Sequence, residues 1–214
     1  MTDRQKARIS SRKEPKQARS TGLVATILEA AIQVLEREGA QRFTTARVAE
    51  RAGVSVGSIY QYFPNKAAIL FRLQSDEWRQ TNDLLITILA DSGTAPLERL
   101  RTLVHAFVQS ECDEASMRVA LNDAAPLYRA APEAEDVRAS GDDAVRAFMY
   151  EALPNASDSA RDLARELIMT TLSDVGKRFS EKPRTRDEIE TYAGAMADMF
   201  CAYLATISGS GAPR

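Results

Sequence analysis

The chain has 214 residues, of which 44% are hydrophobic and 27% charged, with a formal net charge of −2. This composition excludes a disordered chain and supplies enough apolar surface for one or two folded domains. The longest apolar runs, such as Leu84-Leu85-Ile86 before Thr87, are far too short to cross a bilayer, so no membrane partner is expected.

The charge is spread unevenly. Residues 1–72 carry 13 Lys/Arg against 6 Asp/Glu, whereas residues 73–214 carry 15 against 24. A basic head on an acidic body suits a polyanion-binding protein, and charge alone leaves open a solvated basic tail with no partner. No apolar segment follows the basic N-terminus, so no secretory signal is expected. Cys112 and Cys201 stand apart, with no CxxC or Cys/His cluster. That pattern points to a reducing, cytoplasmic setting with no structural zinc; no other metal and no cofactor are expected.

In chain order, residues 1–19 lack an apolar period and read as a disordered basic arm. Leu23, Ile27, Ala30, Ala31, Val34 and Leu35 then recur at helical spacing, predicting a helix over about 21–38 with Gly39 at its C-terminal cap. Thr44 is placed to cap a short helix with a buried face of Val48, Ala49 and Ala52. Gly53 follows at the point where a tight turn needs access to positive φ. Ser55 is placed to cap a second short helix over 56–62, with Ile59 and Phe63 facing inward. Pro64 stops it, Asn65 caps the next helix, and an apolar-periodic segment runs from Lys66 to about Ala90.

Further helices are expected from Pro96, over 115–124, from Pro132 to Pro154, over 157–180 and over 187–207. Runs of alternating β-branched residues are absent. The expected fold is all-α with about nine helices. The expected division is an arm over 1–19, a three-helix domain over 20–66, and a helical bundle over 67–214.

Two short helices joined by a glycine turn, preceded by a longer one, make a helix-turn-helix whose second helix lies in a major groove. The segment Thr44-Thr45-Ala46-Arg47-Val48-Ala49-Glu50-Arg51-Ala52-Gly53-Val54-Ser55-Val56-Gly57-Ser58-Ile59-Tyr60-Gln61-Tyr62-Phe63-Pro64-Asn65-Lys66 resembles the DNA-binding signature of the tetracycline-repressor-like (TetR) family of bacterial transcriptional regulators. The resemblance covers about residues 20–70. Beyond them the chain matches the family in size and helical character only.

The resemblance implies a homodimer that places one recognition helix in each half-site of a near-palindromic double-stranded operator. Position by position, it implies that Thr44 and Thr45 lie at the phosphate-facing start of the first short helix and that Arg47 faces the DNA backbone. Ser55, Val56, Gly57 and Ser58 would lie near base edges, and Tyr60, Tyr62 and Lys66 would clamp phosphates. Gln61 is the base-reading candidate, since its amide pairs bidentately with adenine. Many relatives carry a basic residue where Val56 stands, and here a valine is suited to a thymine methyl instead. Arg47 occupies a position where an acidic residue often closes a capping box.

By the same resemblance the C-terminal helices enclose a small-molecule effector cavity, with Trp78, Phe107, Met117, Leu121, Tyr128, Phe148, Met149 and Met169 as candidate lining. Ordinary core packing is the competing reading for each. His105, the only histidine, reads either as a polar group of that pocket or as a satisfied core side chain. Glu111, Asp113 and Glu114 around Cys112 read as a solvated face. Leu167, Leu172, Val175, Phe179, Tyr192, Met196, Met199, Phe200 and Tyr203 on the last two helices are assigned to a four-helix dimer interface. Ala193, Gly194, Ala195 and Ala197 permit close helix approach there.

The expected function is a repressor released from DNA by a hydrophobic or aromatic effector. Two alternatives stand beside it: a dimeric regulator with no effector, and a helical-bundle enzyme or carrier. The second is opposed by the single histidine and the lack of a carboxylate/histidine constellation. The arm is either a solubilising tail or a minor-groove contact.

Overall fold

A computed structural model describes residues 18–124 and 133–210. Among these the chain forms nine helices and no strand: α1 (Ala18–Arg42), α2 (Thr45–Ala52), α3 (Val56–Tyr60), α4 (Lys66–Leu89), α5 (Pro96–Asp113), α6 (Ala115–Ala124), α7 (Glu133–Ala152), α8 (Asp158–Ser180) and α9 (Arg186–Ser210). No helix among the described residues is long and apolar enough to cross a membrane.

The helix boundaries follow local chemistry. Thr44 Oγ1 accepts from the Arg47 amide at 3.3 Å, and Ser55 Oγ accepts from the Ser58 amide at 3.0 Å, so each hydroxyl satisfies a first-turn donor. Asn65 Oδ1 does the same for Ala68 at 2.9 Å. Ser157 caps α8 through the Ala160 amide at 3.3 Å. A reciprocal capping box starts α9, in which the Thr185 amide donates to Glu188 Oε2 at 2.8 Å and the Glu188 amide donates to Thr185 Oγ1 at 3.3 Å. Gly39 has φ 74°, so α1 is kinked there, short of its end at Arg42. The first helical stretch therefore stops at Glu38, as expected, with Gly39 breaking it, and a short stretch continues to Arg42.

The packing falls into two units, Met1–Arg79 with Ser116–Val137, and Gln80–Ala115 with Arg138–Arg214. In the first, Val24, Ile27, Ala31, Val34 and Leu35 of α1 meet Val48, Ala49, Ile59 and Phe63 around a fully buried Phe43. Ile69, Leu70 and Leu73 of α4 and Leu121 of α6 complete this core. It therefore extends past the boundary expected at residue 66, because the first half of α4 is apolar on the face it turns inward. The second core joins Leu100, Leu103, Val104 and Phe107 of α5 to Phe148 and Met149 of α7, Ile168 and Leu172 of α8, and Ala193, Met196, Ala197 and Phe200 of α9.

Buried charge is handled by pairing. Arg99, almost fully buried, donates to the Leu89 carbonyl at the end of α4 and to Glu151 of α7. In the first unit Glu77 accepts from Gln74 at 2.7 Å and lies 3.4 Å from Arg118. Burying Arg99, Glu77 and Arg118 is tolerable because each faces an opposite charge, Arg99 that of the exposed Glu151.

Candidate nucleic-acid interface

The turn between α2 and α3 is set by one residue. Gly53 sits at φ 68°, ψ 28°, a left-handed conformation that an L side chain rarely adopts. Its amide reaches the Glu50 carbonyl at 3.2 Å, and the Val54 amide reaches that of Ala49 at 3.0 Å, closing the end of α2. Val54 then packs against the first core, which orients α3. Ile59 is fully buried, so the opposite side of α3 faces solvent.

That solvent side carries Val56, Gly57, Tyr60 and Gln61, all exposed, with Ser55 beside them and Ser58 half-buried. α3 itself ends at Tyr60, two residues before the expected end, and Gln61 is its C-cap. The Tyr60 and Thr45 hydroxyls lie 3.3 Å apart in a hydrogen bond, tying the end of α3 to the start of α2. Thr44 is exposed, and Lys66 is half-buried at the start of α4. The surface thus gathers hydroxyls, an amide and an ammonium group, which suits phosphate oxygens and base edges.

Two residues are placed differently from expectation. Tyr62 is only 8% exposed and its ring belongs to the first core, whereas Tyr60 is 41% exposed. The expectation of a Tyr62 phosphate clamp is corrected: the turn after α3 rotates this ring inward beside Phe63, leaving Tyr60 as the tyrosine on the surface. Arg47 pairs with Glu38 of α1. These two residues, with Gln33, Val34, Arg37, Glu50 and Arg51, line a groove of about 540 Å³ along α1 and α2. Arg51 donates to Gln33 there at 2.5 Å. Sequence reasoning passed over Arg37 and Arg51, whose spacing from Arg47 carries no signal until α1 and α2 are docked.

The residues expected to line an effector cavity do not share one core. Leu121 is buried in the first, with Trp78 and Met117 packed against it, while Phe107, Phe148 and Met149 are buried in the second with Met169 at its edge. Tyr128 and the arm up to residue 17 lie outside the described residues. His105 is half-buried, its Nδ1 3.4 Å from Glu190 of α9. Glu111 corrects the solvated-face reading: it is buried, its Cγ near the space a side chain at Gly176 would occupy. Among the described residues no group of three or more His, Cys, Asp or Glu is arranged to hold a metal ion.

The expected dimer residues also divide. Leu167 (48% exposed) and Met199 (53%) face solvent, as does Leu163 (59%), which sequence reasoning missed. Leu172, Met196 and Phe200 are buried in their own chain's core, and Phe179 is stacked on Tyr192 with ring centroids 4.0 Å apart. Val175, Tyr192 and Tyr203 are half-buried. Ala193 and Ala197, expected at the interface, are fully buried, in the core that α9 shares with α5. Helical periodicity marks both kinds of apolar face alike, so it cannot separate the intrachain stripe from the outward one.

Comparison with known proteins decides the family. Residues 27–73 match the model described as bacterial regulatory proteins, tetR family, and residues 95–207 match that of the tetracyclin repressor-like C-terminal domain. The chain belongs to the TetR family. TetR-family proteins are regulators rather than enzymes. The nucleoid occlusion factor SlmA of Vibrio campbellii is 38% identical over 85 residues, 38% of this chain and 42% of that protein. The regulator BetI of Stenotrophomonas maltophilia is 29% identical over 94 residues, 44% of this chain and 48% of that protein. The chain thus spans less than half the length of these two curated relatives. A TetR-family regulator structure from Mesorhizobium loti superposes with a TM-score of 0.69 at 16% identity, covering 87% of this chain and 98% of that one. The Bacillus subtilis regulator FadR, solved with stearoyl-CoA, gives 0.64 at 15%, covering 83% and 97%. At such identities the likeness concerns the fold.

Proposed function

We propose that this TetR-family chain is a cytoplasmic, homodimeric transcriptional repressor that binds a near-palindromic operator and is released by a small-molecule effector. The observation that carries the reading is the solvent face of α3, where Val56, Gly57, Tyr60 and Gln61 stand exposed on a helix whose other side is locked by Ile59. Gln61 reads a base, Tyr60 and Thr45 together hold a phosphate, and Lys66 supplies charge to a neighbouring one. The outward residues Leu163, Leu167 and Met199 supply apolar surface for a second copy.

Release follows from linkage. An effector that binds the non-DNA conformation more tightly draws the population away from the one in which both copies of α3 fit a single operator. Support for an effector comes from the matched C-terminal family and from FadR, which was solved with stearoyl-CoA.

Fluorescence anisotropy with a labelled duplex from upstream of the chain's own gene tests this reading. Lys66→Ala should weaken binding to every sequence and lower the slope of log K against log salt by about 1. Gln61→Ala should change the preferred sequence, at a cost of about 1–3 kcal/mol at the base it reads. Unchanged binding by both variants would place the DNA site elsewhere.

A further inference from the structure

Two side chains of α2 reach across to α1: Arg47 pairs with Glu38, and Arg51 Nε donates to Gln33 Oε1 at 2.5 Å. The ties start four residues apart on α2 and end five apart on α1, which is about 6 and 7.5 Å of helix rise. They run in opposite chain order, so the two helices lie antiparallel here and the ties mark off a length of the groove between them. Within that length stand Val34 and Arg37 of α1 and Glu50 of α2. Val34 is buried and closes the floor. Arg37 and Glu50 are exposed, and neither side chain has a hydrogen bond or ion pair among the described residues. Opposite charges thus face one groove from its two walls without meeting.

Single unpaired charges on a surface are served by water and call for no explanation. A guanidinium and a carboxylate on opposite walls of one tied groove have a common complement. A simple anion would meet Glu50 as a like charge, and a simple amine would meet Arg37 in the same way. A zwitterion suits both. Its carboxylate matches the planar fork of Arg37, its ammonium donates to Glu50, and a short aliphatic side chain lies over Val34. The groove, about 540 Å³, has the size of a small-molecule site.

We infer that the α1/α2 groove binds a small zwitterion of the amino-acid class, held by Arg37 and Glu50. The site lies wholly in the first unit, with α3, and shares no residue with the expected effector lining. It is independent of the proposed release mechanism.

The test is a titration of the full chain, followed by amide chemical shifts, with L-leucine and its two half-charged analogues, 4-methylpentanoate and 3-methylbutylamine. L-leucine should give saturable shifts over residues 33–38 and 47–51, with Kd on the order of 1 mM, and both analogues should bind at least about fivefold more weakly. Arg37→Ala and Glu50→Gln should each weaken L-leucine by a similar factor while keeping the parent's Tm within about 2 °C, because both side chains are exposed. Absence of saturable shifts with L-leucine overturns the site. Equal binding of 4-methylpentanoate overturns the zwitterion, and unchanged binding by both variants overturns the location. A parent chain that sediments beyond a dimer, with Arg37→Ala restoring the dimer, assigns the groove to a second copy and overturns the inference as well.

Discussion

At the scale of single residues, Tyr60 and Tyr62 are two positions apart and differ in role. Tyr62 is buried among core side chains, so Tyr62→Ala should cost about 3 kcal/mol of stability, by analogy with other large aromatic truncations. Tyr60→Ala should cost little stability and reduce DNA affinity, because Tyr60 stands exposed and its hydroxyl is hydrogen-bonded to that of Thr45 on the surface. Urea unfolding and anisotropy on the same two variants separate these outcomes, and matching losses from both would contradict the assignment. The motif placed both tyrosines near DNA but did not distinguish them. A five-residue helix followed by a turn does not keep helical phase, and phase decides which ring turns inward. Arg99 and Glu111 were illegible for another reason, since burial of an isolated charge depends on neighbours distant in sequence.

At the scale of elements, the sequence was most informative where a side chain acts on its own backbone. The caps at Thr44, Ser55 and Asn65 and the turn at Gly53 each follow from one residue's chemistry, and each is found where expected. Gly53→Ala should therefore destabilise the fold by about 1–2 kcal/mol, the cost of a left-handed conformation for an L residue. Circular dichroism melts of this variant and the parent check it, and a stabilising Gly53→Ala would contradict the turn geometry.

The capping box of α9 has a pH signature. Hydrogen bonds from the Thr185 amide and then its hydroxyl hold the Glu188 carboxyl below its ordinary range, with Arg184 adding attraction. A depressed carboxylate stabilises the fold above the unfolded-state value and ceases to do so as pH falls through the folded-state value. Glu188→Ala should thus lower Tm near pH 7 and converge with the parent in strong acid. A difference between the two proteins that persists undiminished at low pH would rule out this cap.

At the scale of the molecule, helix number and class were legible because apolar residues recur at helical spacing in every long segment. The assignment of faces was not. Ala193 and Ala197 of α9 pack within their own chain, and only Leu163, Leu167 and Met199 among the large apolar residues of α8 and α9 stand well out in water. The double substitution Leu167→Glu, Met199→Glu should yield a folded monomer by light scattering, because like charges would face each other across a two-fold axis. A dimer that survives it would place the pairing surface elsewhere. The expected effector lining was divided between two cores for the same reason: periodicity reports that a residue is buried, not which neighbours bury it.

The central claim is that two copies of α3 read DNA together. Selection of binding sites from random duplexes by the full chain, followed by footprinting on the enriched sequence, tests it most directly. The account predicts an inverted repeat with half-site centres about 34–36 Å apart, or a multiple of that. It also predicts protection that is lost on replacing Gln61 and Tyr60 together. Enrichment of a single asymmetric site, or protection that survives that double replacement, would contradict it.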